Sequence, residues 1–138
     1  MSRSKLGLKS YSEAKKYAEQ AIKILSRTDE KEVRFSNDIE LAKAYVARAD
    51  AFSAMNKYDK AIVSYEIAEG IYKNAYTDQV KEMHEIAYTT FAGAKAACYK
   101  KDAFWYKHFY TSFSSLVNQK DTRIKELENL CSNFIIKN

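Results

Sequence analysis

Hydrophobic residues recur along this chain at spacings of three and four, and short polar stretches divide them into segments. That spacing places apolar side chains on one face of an α-helix. The chain has no proline and only three glycines, so few residues interrupt the pattern. The pattern therefore predicts an all-α protein of about six helices.

Polar capping residues predict where the first helices begin. Ser10 and Glu13 form a capping-box pattern before the first helix, which makes residues 1–9 an N-terminal tail. Ser36 or Asn37 should open the second helix, which extends to about residue 55. After the turn "NKYD", a third helix continues to about residue 74.

The later helices have acidic or hydroxyl caps of their own. Thr77 or Asp78 should open the fourth helix, which ends near Cys98, and Asp102 and Asp121 should cap the last two. Residues 119–138 are predicted to form a C-terminal capping helix. Its apolar stripe is Ile124, Leu127, Cys131 and Phe134, with Lys125, Glu126 and Glu128 facing water.

The segment "AFWYKHFYTSF", residues 103–113, is unusually rich in aromatic residues. At about 100° per residue its large side chains share one arc of the helix, which favours ordinary core packing. Phe104 lies outside that arc and is a candidate contact for a ligand or second subunit, whereas His108 lies on the solvated side. The arc contains Trp105, Tyr106, Phe109, Tyr110, Phe113, Leu116 and Val117.

Residues 44–68, "AYVARADAFSAMNKYDKAIVSYEIA", resemble a tetratricopeptide repeat, a pair of antiparallel helices with set small and aromatic positions. The matching positions are Tyr45, Ala49, Phe52, Ala61, Tyr65 and Ala68. Arg48 stands where the family usually has leucine; we expect a snorkelling stem or a partly buried ion pair. Lys73 replaces a frequent proline, which is typical of a helix that continues.

Flanking segments extend the resemblance to a right-handed superhelical array of about two and a half repeats over residues 10–118. Residues 11–22 resemble the second helix of a preceding repeat. Aligning Gly93 with Ala49 gives a period of 44 residues and places Phe109 opposite Tyr65. Such long repeats are similar to those of kinesin light chains and of bacterial Rap-type regulators.

The resemblance implies a non-enzymatic adaptor or regulatory domain that binds a protein or peptide in a concave groove. The groove is lined by the first helix of each repeat. Some repeats of this family hold the C-terminal carboxylate of heat-shock chaperones with lysine, asparagine and arginine at set groove positions. In this chain Val46 and Asp50 stand at two of those positions, which argues against a chaperone tail as the ligand. The predicted groove residues are Lys43, Val46, Asp50 and Ser53 on the second helix and Ala87, Thr90, Ala94 and Ala97 on the fourth.

No residue pattern predicts catalysis or a cofactor. Cys98 and Cys131 have no zinc-site spacing, and we interpret both as small buried thiols. A Cys98 and histidine nucleophile pair has no supporting motif, and His84 is expected at or near the surface. We therefore predict that the chain is not an enzyme and needs no metal.

The net charge is +5, with lysine and arginine spread among the acids. An alternative function is therefore a basic helical module that binds nucleic acid or an acidic surface, with Lys15, Lys16, Lys100, Lys101 and Lys107 as contacts. The mixed charge makes nucleic acid the weaker alternative. Without a secretion signal or a membrane-spanning run, we expect a cytoplasmic location.

Only ten residues precede the first predicted helix, so its partner helix is missing. Two expectations follow: the chain is a fragment of a longer repeat protein, or the array begins with an unpaired helix. A third interpretation keeps the repeat fold and makes the partner a second copy of the chain, which would cover the exposed face of this helix.

Overall fold

The computed structural model describes residues 2–25, 31–75 and 83–132. They form the α-helices α1 (Ser2–Leu25), α2 (Lys31–Ala54), α3 (Tyr58–Ala75), α4 (Met83–Lys100), α5 (Ala103–Leu116) and α6 (Thr122–Leu130). Within these ranges there is no strand, so the all-α prediction is confirmed. Packing is most extensive between helices that follow each other in the chain, and α6 packs on α4.

Two helices begin earlier than their polar residues predicted. The first starts at Ser2, so residues 2–9 are helical and Ser10 lies inside the helix instead of capping it. The second starts at Lys31, five residues before Ser36. Neither stretch contains proline, and a capping-box pattern inside a continuous helix has no orphan backbone donors to satisfy. The predicted caps at 77 and 78 lie outside the described residues.

The α2–α3 and α4–α5 connections use the same turn. In each, one non-glycine residue has a φ of 62°, Asn56 in the first turn and Lys101 in the second. The next amide donates back into the helix, from Lys57 to the Phe52 carbonyl at 2.8 Å and from Asp102 to the Ala97 carbonyl at 2.9 Å. This left-handed cap reverses the chain within a few residues, so each pair of helices packs back on itself.

Two of the predicted caps are confirmed. The Asp102 side chain accepts a hydrogen bond from the Trp105 amide at 3.1 Å. The Asp121 side chain accepts one from the Arg123 amide at 2.9 Å. Short polar side chains at these positions satisfy donors that the first helical turn leaves unpaired.

Gly93 lets α5 approach α4 closely. A β-carbon at this position would lie 2.8 Å from the Phe109 ring, a distance that requires the ring to move. This contact pairs a small residue of α4 with an aromatic residue of α5. The alignment of Gly93 with Ala49 gives the corresponding pair on α2 and α3, Ala49 and Tyr65. Both Ala49 and Tyr65 are also buried.

The aromatic helix α5 is core, as its arc predicts. Tyr106, Phe109 and Phe113 are buried in the main hydrophobic cluster, and Trp105 packs against its edge. Burial of each ring contributes on the order of 2 kcal/mol to stability. Phe104 is 71% exposed, as the wheel predicts.

The last helix packs over α4. Leu127 and Cys131 are fully buried, whereas Lys125, Glu126 and Glu128 are exposed, as predicted. The predicted stripe residue Phe134 lies outside the described residues. Cys98 and Cys131 are both buried, as interpreted, but they are bonded to each other in a disulfide and so are not thiols. The fold brings together two buried positions 33 residues apart, and periodicity alone does not report that proximity.

Helix α1 packs on α2 through its inner face. Ala18 and Ile22 are buried, whereas Tyr17 and Ile24 are exposed on the outer side. Self-association through this outer side stays a prediction. In the three described stretches, no helix combines the length and the apolar character needed to cross a membrane.

Candidate functional site

A groove separates α2 from α4. Helix α3 packs against both of them, whereas α2 and α4 make little contact with each other. Two adjoining pockets lie in this gap, and Tyr88 lines both.

The Asp50 pocket encloses about 360 Å³ and lies toward the C-terminal end of α2. Tyrosines dominate its lining, which consists of Asp50, Ser53, Ala54, Tyr58, Tyr65, Tyr88, Phe91, Ala92, Lys95, Ala96 and Tyr99. The Lys43 pocket encloses about 340 Å³ further along the gap. It is lined by Lys43, Val46, Tyr72, His84, Glu85, Tyr88 and Thr89.

The four α2 residues named from sequence all lie in this groove. Lys43 and Val46 line the Lys43 pocket, and Asp50 and Ser53 line the Asp50 pocket. Their spacing of three and four residues keeps them on one side of the helix. Whether they contact a partner stays a prediction.

The four α4 residues named from sequence do not line the groove, so that part of the prediction is wrong. Ala87, Thr90, Ala94 and Ala97 are all 1% exposed or less. Helix α4 packs against α3, α5 and α6, and its strip of small side chains is buried in that packing. The groove side of α4 lies about 150° round the helix from this strip, at Tyr88, Ala92, Lys95 and Tyr99.

Residue size could have distinguished the two sides of α4. Small side chains permit close helix approach, so a strip made only of alanine and threonine indicates a packing interface. The bulky tyrosines at 88 and 99 need more room than such an interface offers. Both are partly exposed at the groove.

Asp50 is held at the base of its pocket by two tyrosine hydroxyls. Tyr65, which is 2% exposed, donates to Oδ1, and Tyr88 donates to Oδ2 at 3.1 Å. Burial raises the pKa of the Asp50 carboxyl, and the two donated hydrogen bonds partly offset that rise. Within the described part of the chain, Asp50 forms no ion pair.

The two tyrosines stay protonated well into the alkaline range. Burial raises the pKa of Tyr88 to about 12, and the neighbouring Asp50 charge adds to the rise. Burial and the same charge also raise the pKa of Tyr65. Both hydroxyls therefore remain donors to the carboxylate at neutral pH.

Lysines at the groove edge are engaged elsewhere. The Nζ atom of Lys43 lies 3.6 Å from Glu40 Oε1, one turn away. The Nζ atom of Lys95 lies 3.5 Å from Glu126 Oε1 on α6 and 5.4 Å from the centre of the Phe91 ring. Neither lysine neutralises Asp50.

An aromatic wall, formed by Tyr58 and Tyr99, lines the same pocket as Asp50. The rings of Tyr58 and Tyr99 are stacked, with centroids 5.1 Å apart and an interplanar angle of 24°. The Tyr58 hydroxyl donates to Asn56 Oδ1 at 2.9 Å, which fixes that ring at the start of α3. Helix periodicity did not assign these tyrosines to the groove, because they lie at the far ends of two consecutive helices, Tyr58 at the start of α3 and Tyr99 near the end of α4.

Arg48 joins α2 to α3 outside the groove. Its Nε donates to Ser64 Oγ at 3.0 Å, and its guanidinium carbon lies 4.9 Å from the centre of the Tyr45 ring. It therefore replaces the usual leucine with a hydrogen bond and a stacking contact. Within the described residues, Arg48 forms these two contacts in place of the expected ion pair with an acid.

A second polar cluster joins α3 to α5 on another side of the molecule. The His108 Nε2 atom lies 2.8 Å from Glu69 Oε1, and Lys73 Nζ lies 3.4 Å from Glu69 Oε2. Lys73 also donates to Ser112 Oγ at 2.8 Å. The interpretation of His108 as a purely solvated residue is therefore incomplete, since it contacts a carboxylate whose residue is only 4% exposed.

Phe104 lines a shallow depression beside this cluster, together with Lys107, His108, Thr111, Ser112 and Ser115. Its ring packs edge-on against Trp105 at 5.2 Å. The position is accessible, and its role as a contact stays a prediction. His84 is exposed at the start of α4, as predicted.

The described residues hold no group of three metal-ligating side chains. Cys98 and Cys131 are disulfide-bonded, so a cysteine nucleophile paired with histidine is not available in this form. Comparison with protein families, curated protein sequences and solved structures finds no match to this chain.

Proposed function

We propose that this chain is a non-enzymatic adaptor or regulatory domain of the tetratricopeptide type, which holds a peptide segment of a protein partner in the α2–α4 groove. The observation that carries the proposal is the groove itself. It is open along the first helices of two successive helix pairs, and it combines tyrosine rings with a few polar groups. Aromatic residues of this kind supply binding energy at little entropic cost.

Repetition within the fold supports the same function. The same left-handed turn joins α2 to α3, at Asn56, and α4 to α5, at Lys101. Both helix pairs also bury a small residue of the first helix, Ala49 in one pair and Gly93 in the other. We infer that the pairs are successive repeats of one superhelical array, with α1 as the second helix of a preceding unit and α6 as its cap.

The cytoplasmic location is part of the proposal. The disulfide between Cys98 and Cys131 counts against that location, because such bonds persist mainly where the surroundings are oxidising.

A phage-displayed random-peptide library tests the proposal. Selection on the wild-type protein should yield peptides whose binding is lost in the variant Ala54→Arg, because Ala54 is exposed and lines the Asp50 pocket. Arginine there blocks the groove without entering the core. Ala14→Arg, at an exposed position of α1, is the matched control and should bind normally.

Circular dichroism should show equal helicity in both variants. Failure to select any peptide, or equal binding of the selected peptides to Ala54→Arg, would rule out the groove as the binding site.

A further inference from the structure

Asp50 leaves the groove with an unbalanced negative charge. The lysines at the groove edge each face an acid of their own, Lys43 at Glu40 and Lys95 at Glu126. Within the described residues Asp50 itself has no cationic neighbour at ion-pair distance, and its contacts are the two tyrosine hydroxyls. A carboxylate withdrawn from water without a counter-charge is costly to maintain. The pocket is therefore complementary to a positive group.

The free hydrogen-bonding capacity of Asp50 indicates the shape of that group. A carboxylate has about four acceptor sites, two on each oxygen. Tyr65 uses one site on Oδ1 and Tyr88 uses one site on Oδ2. One site on each oxygen remains, which suits two parallel N–H donors, as a guanidinium presents them. A lysine ammonium would act as a point charge and does not match both oxygens in this way.

The aromatic wall favours the same group. The stacked rings of Tyr58 and Tyr99 and the ring of Phe91 line the same pocket as the carboxylate. A guanidinium is planar and weakly hydrated, so it stacks on such rings more readily than an ammonium does.

We propose that the Asp50 pocket receives an arginine side chain of the partner segment, which pairs with the carboxylate and stacks against Tyr58 and Tyr99. This inference rests on the proposed function, because it specifies the chemistry of the segment that the groove holds. Burial of Asp50 also favours the binding of a cation, since it raises the pKa of the Asp50 carboxyl in the empty pocket. A bound cation would lower that pKa again and so gain binding free energy.

A small probe tests the pocket without a partner protein. Nα-acetyl-arginine amide is titrated into the full chain, and the ring signals of Tyr58, Tyr88 and Tyr99 are followed by NMR. The shifts should saturate with a dissociation constant on the order of 1 mM. The corresponding citrulline amide, which has the same shape without the charge, should produce no saturable shift, and the lysine amide should bind more weakly.

Asp50→Asn should abolish the response to the arginine probe. The substitution retains the size of the side chain and removes its charge. Glu66→Gln, which removes one charge at an exposed position of α3, should respond as the wild type does. Equal shifts with arginine and citrulline amides, or an unchanged arginine response in Asp50→Asn, would overturn the inference.

Peptides from the library distinguish this inference from the adaptor proposal. Groove-binding peptides should share an arginine at one position, and its replacement by citrulline should weaken binding on the order of tenfold to hundredfold. That difference should disappear in Asp50→Asn. Groove peptides without a fixed basic position would defeat the arginine inference alone. Binding of the arginine probe with no library peptide selected would defeat the adaptor proposal alone.

Discussion

Asp50 and Glu69 are both carboxylates drawn away from water, and they are balanced by different groups. Glu69, only 4% exposed, lies between His108 Nε2 at 2.8 Å and Lys73 Nζ at 3.4 Å. Among the described residues, the Asp50 carboxylate has only the Tyr65 and Tyr88 hydroxyls as hydrogen-bond partners.

This difference distinguishes a charge that helps to hold two helices together from a charge that is available to a ligand. The charge of Glu69 is compensated within the fold, so its contacts join α3 to α5. Asp50 lies in an open pocket and its charge is not compensated, so it can gain from a ligand. Active and binding sites commonly retain such costly groups, and the three predictions below test whether these two carboxylates differ in this way.

Removing both partners of Glu69 should have the largest effect. In the double variant Lys73→Met, His108→Leu, the buried carboxylate loses its cation and its ring donor. We expect the free energy of unfolding at neutral pH to fall by about 3 kcal/mol, the usual cost of leaving a buried charge uncompensated. Urea denaturation followed by circular dichroism measures the change.

The control for this prediction adds Glu69→Gln to the double variant. Without the charge, much of the lost stability should return. A double variant as stable as the wild type would show that Glu69 is well solvated and that the contrast with Asp50 does not hold.

Alkaline pH should lower the free energy of unfolding through deprotonation of Tyr88, by less than the loss expected in the Lys73→Met, His108→Leu variant. Its pKa is raised from 10.0 to about 12 in the folded protein, so the folded state holds this proton more tightly than the unfolded state does. The stability from this group is complete below pH 10 and is lost as the pH rises through about 12. Discounted for solvent screening at this half-exposed ring, the loss should be about 1 kcal/mol.

Comparison of the wild type with Tyr88→Phe isolates that loss, because Tyr106 also titrates near pH 12 and contributes equally to both proteins. Urea denaturation below pH 10 and near pH 12 should show a smaller decline in Tyr88→Phe. Tyr17→Phe, at an exposed ring on α1, should decline as the wild type does.

Asp50→Asn should have the smallest effect on stability, although it removes a partly buried group. The asparagine oxygen can still accept from Tyr65, and its amide can donate to the Tyr88 hydroxyl, so both hydrogen bonds survive. We expect the free energy of unfolding at neutral pH to change by less than about 0.5 kcal/mol or to increase. Urea denaturation at neutral pH checks this value.

The pH dependence of the free energy of unfolding is a second test of the Asp50→Asn prediction. The raised pKa of Asp50 means that the folded state binds its proton more tightly than the unfolded chain does. Its contribution is therefore greatest below pH 3.8 and is lost as the pH rises through the folded pKa. This part of the pH dependence should be absent in Asp50→Asn. A large loss of stability in the variant at neutral pH would assign Asp50 a structural role like that of Glu69.

Helix α5 was predictable from sequence because its large side chains share one arc. Burial of Tyr106, Phe109 and Phe113 follows from periodicity alone. Its cap at Asp102 was predictable for a related reason, since the contact is made within one helical turn.

Helix α4 was less predictable because it has neighbours on several sides. Its alanine and threonine strip and its tyrosine side share the same helical period, so periodicity alone does not report which one is buried. The packing of α3, α5 and α6 buries the small-residue strip. The Asp50 pocket has the same difficulty, since Tyr65 and Tyr88 come from α3 and α4. Their hydroxyls meet one carboxylate on α2 only after the three helices pack.

The sequence by itself determined the all-α class, the caps at Asp102 and Asp121 and the aromatic core of α5. These features depend on hydrogen bonds within one turn and on the 3.6-residue period, which are local. Only the tertiary structure decided the Glu69–His108 pair, the Cys98–Cys131 disulfide and the contacts of Asp50 with Tyr65 and Tyr88. Each of these depends on distances between residues far apart in the chain, and helix periodicity carries no information about those distances.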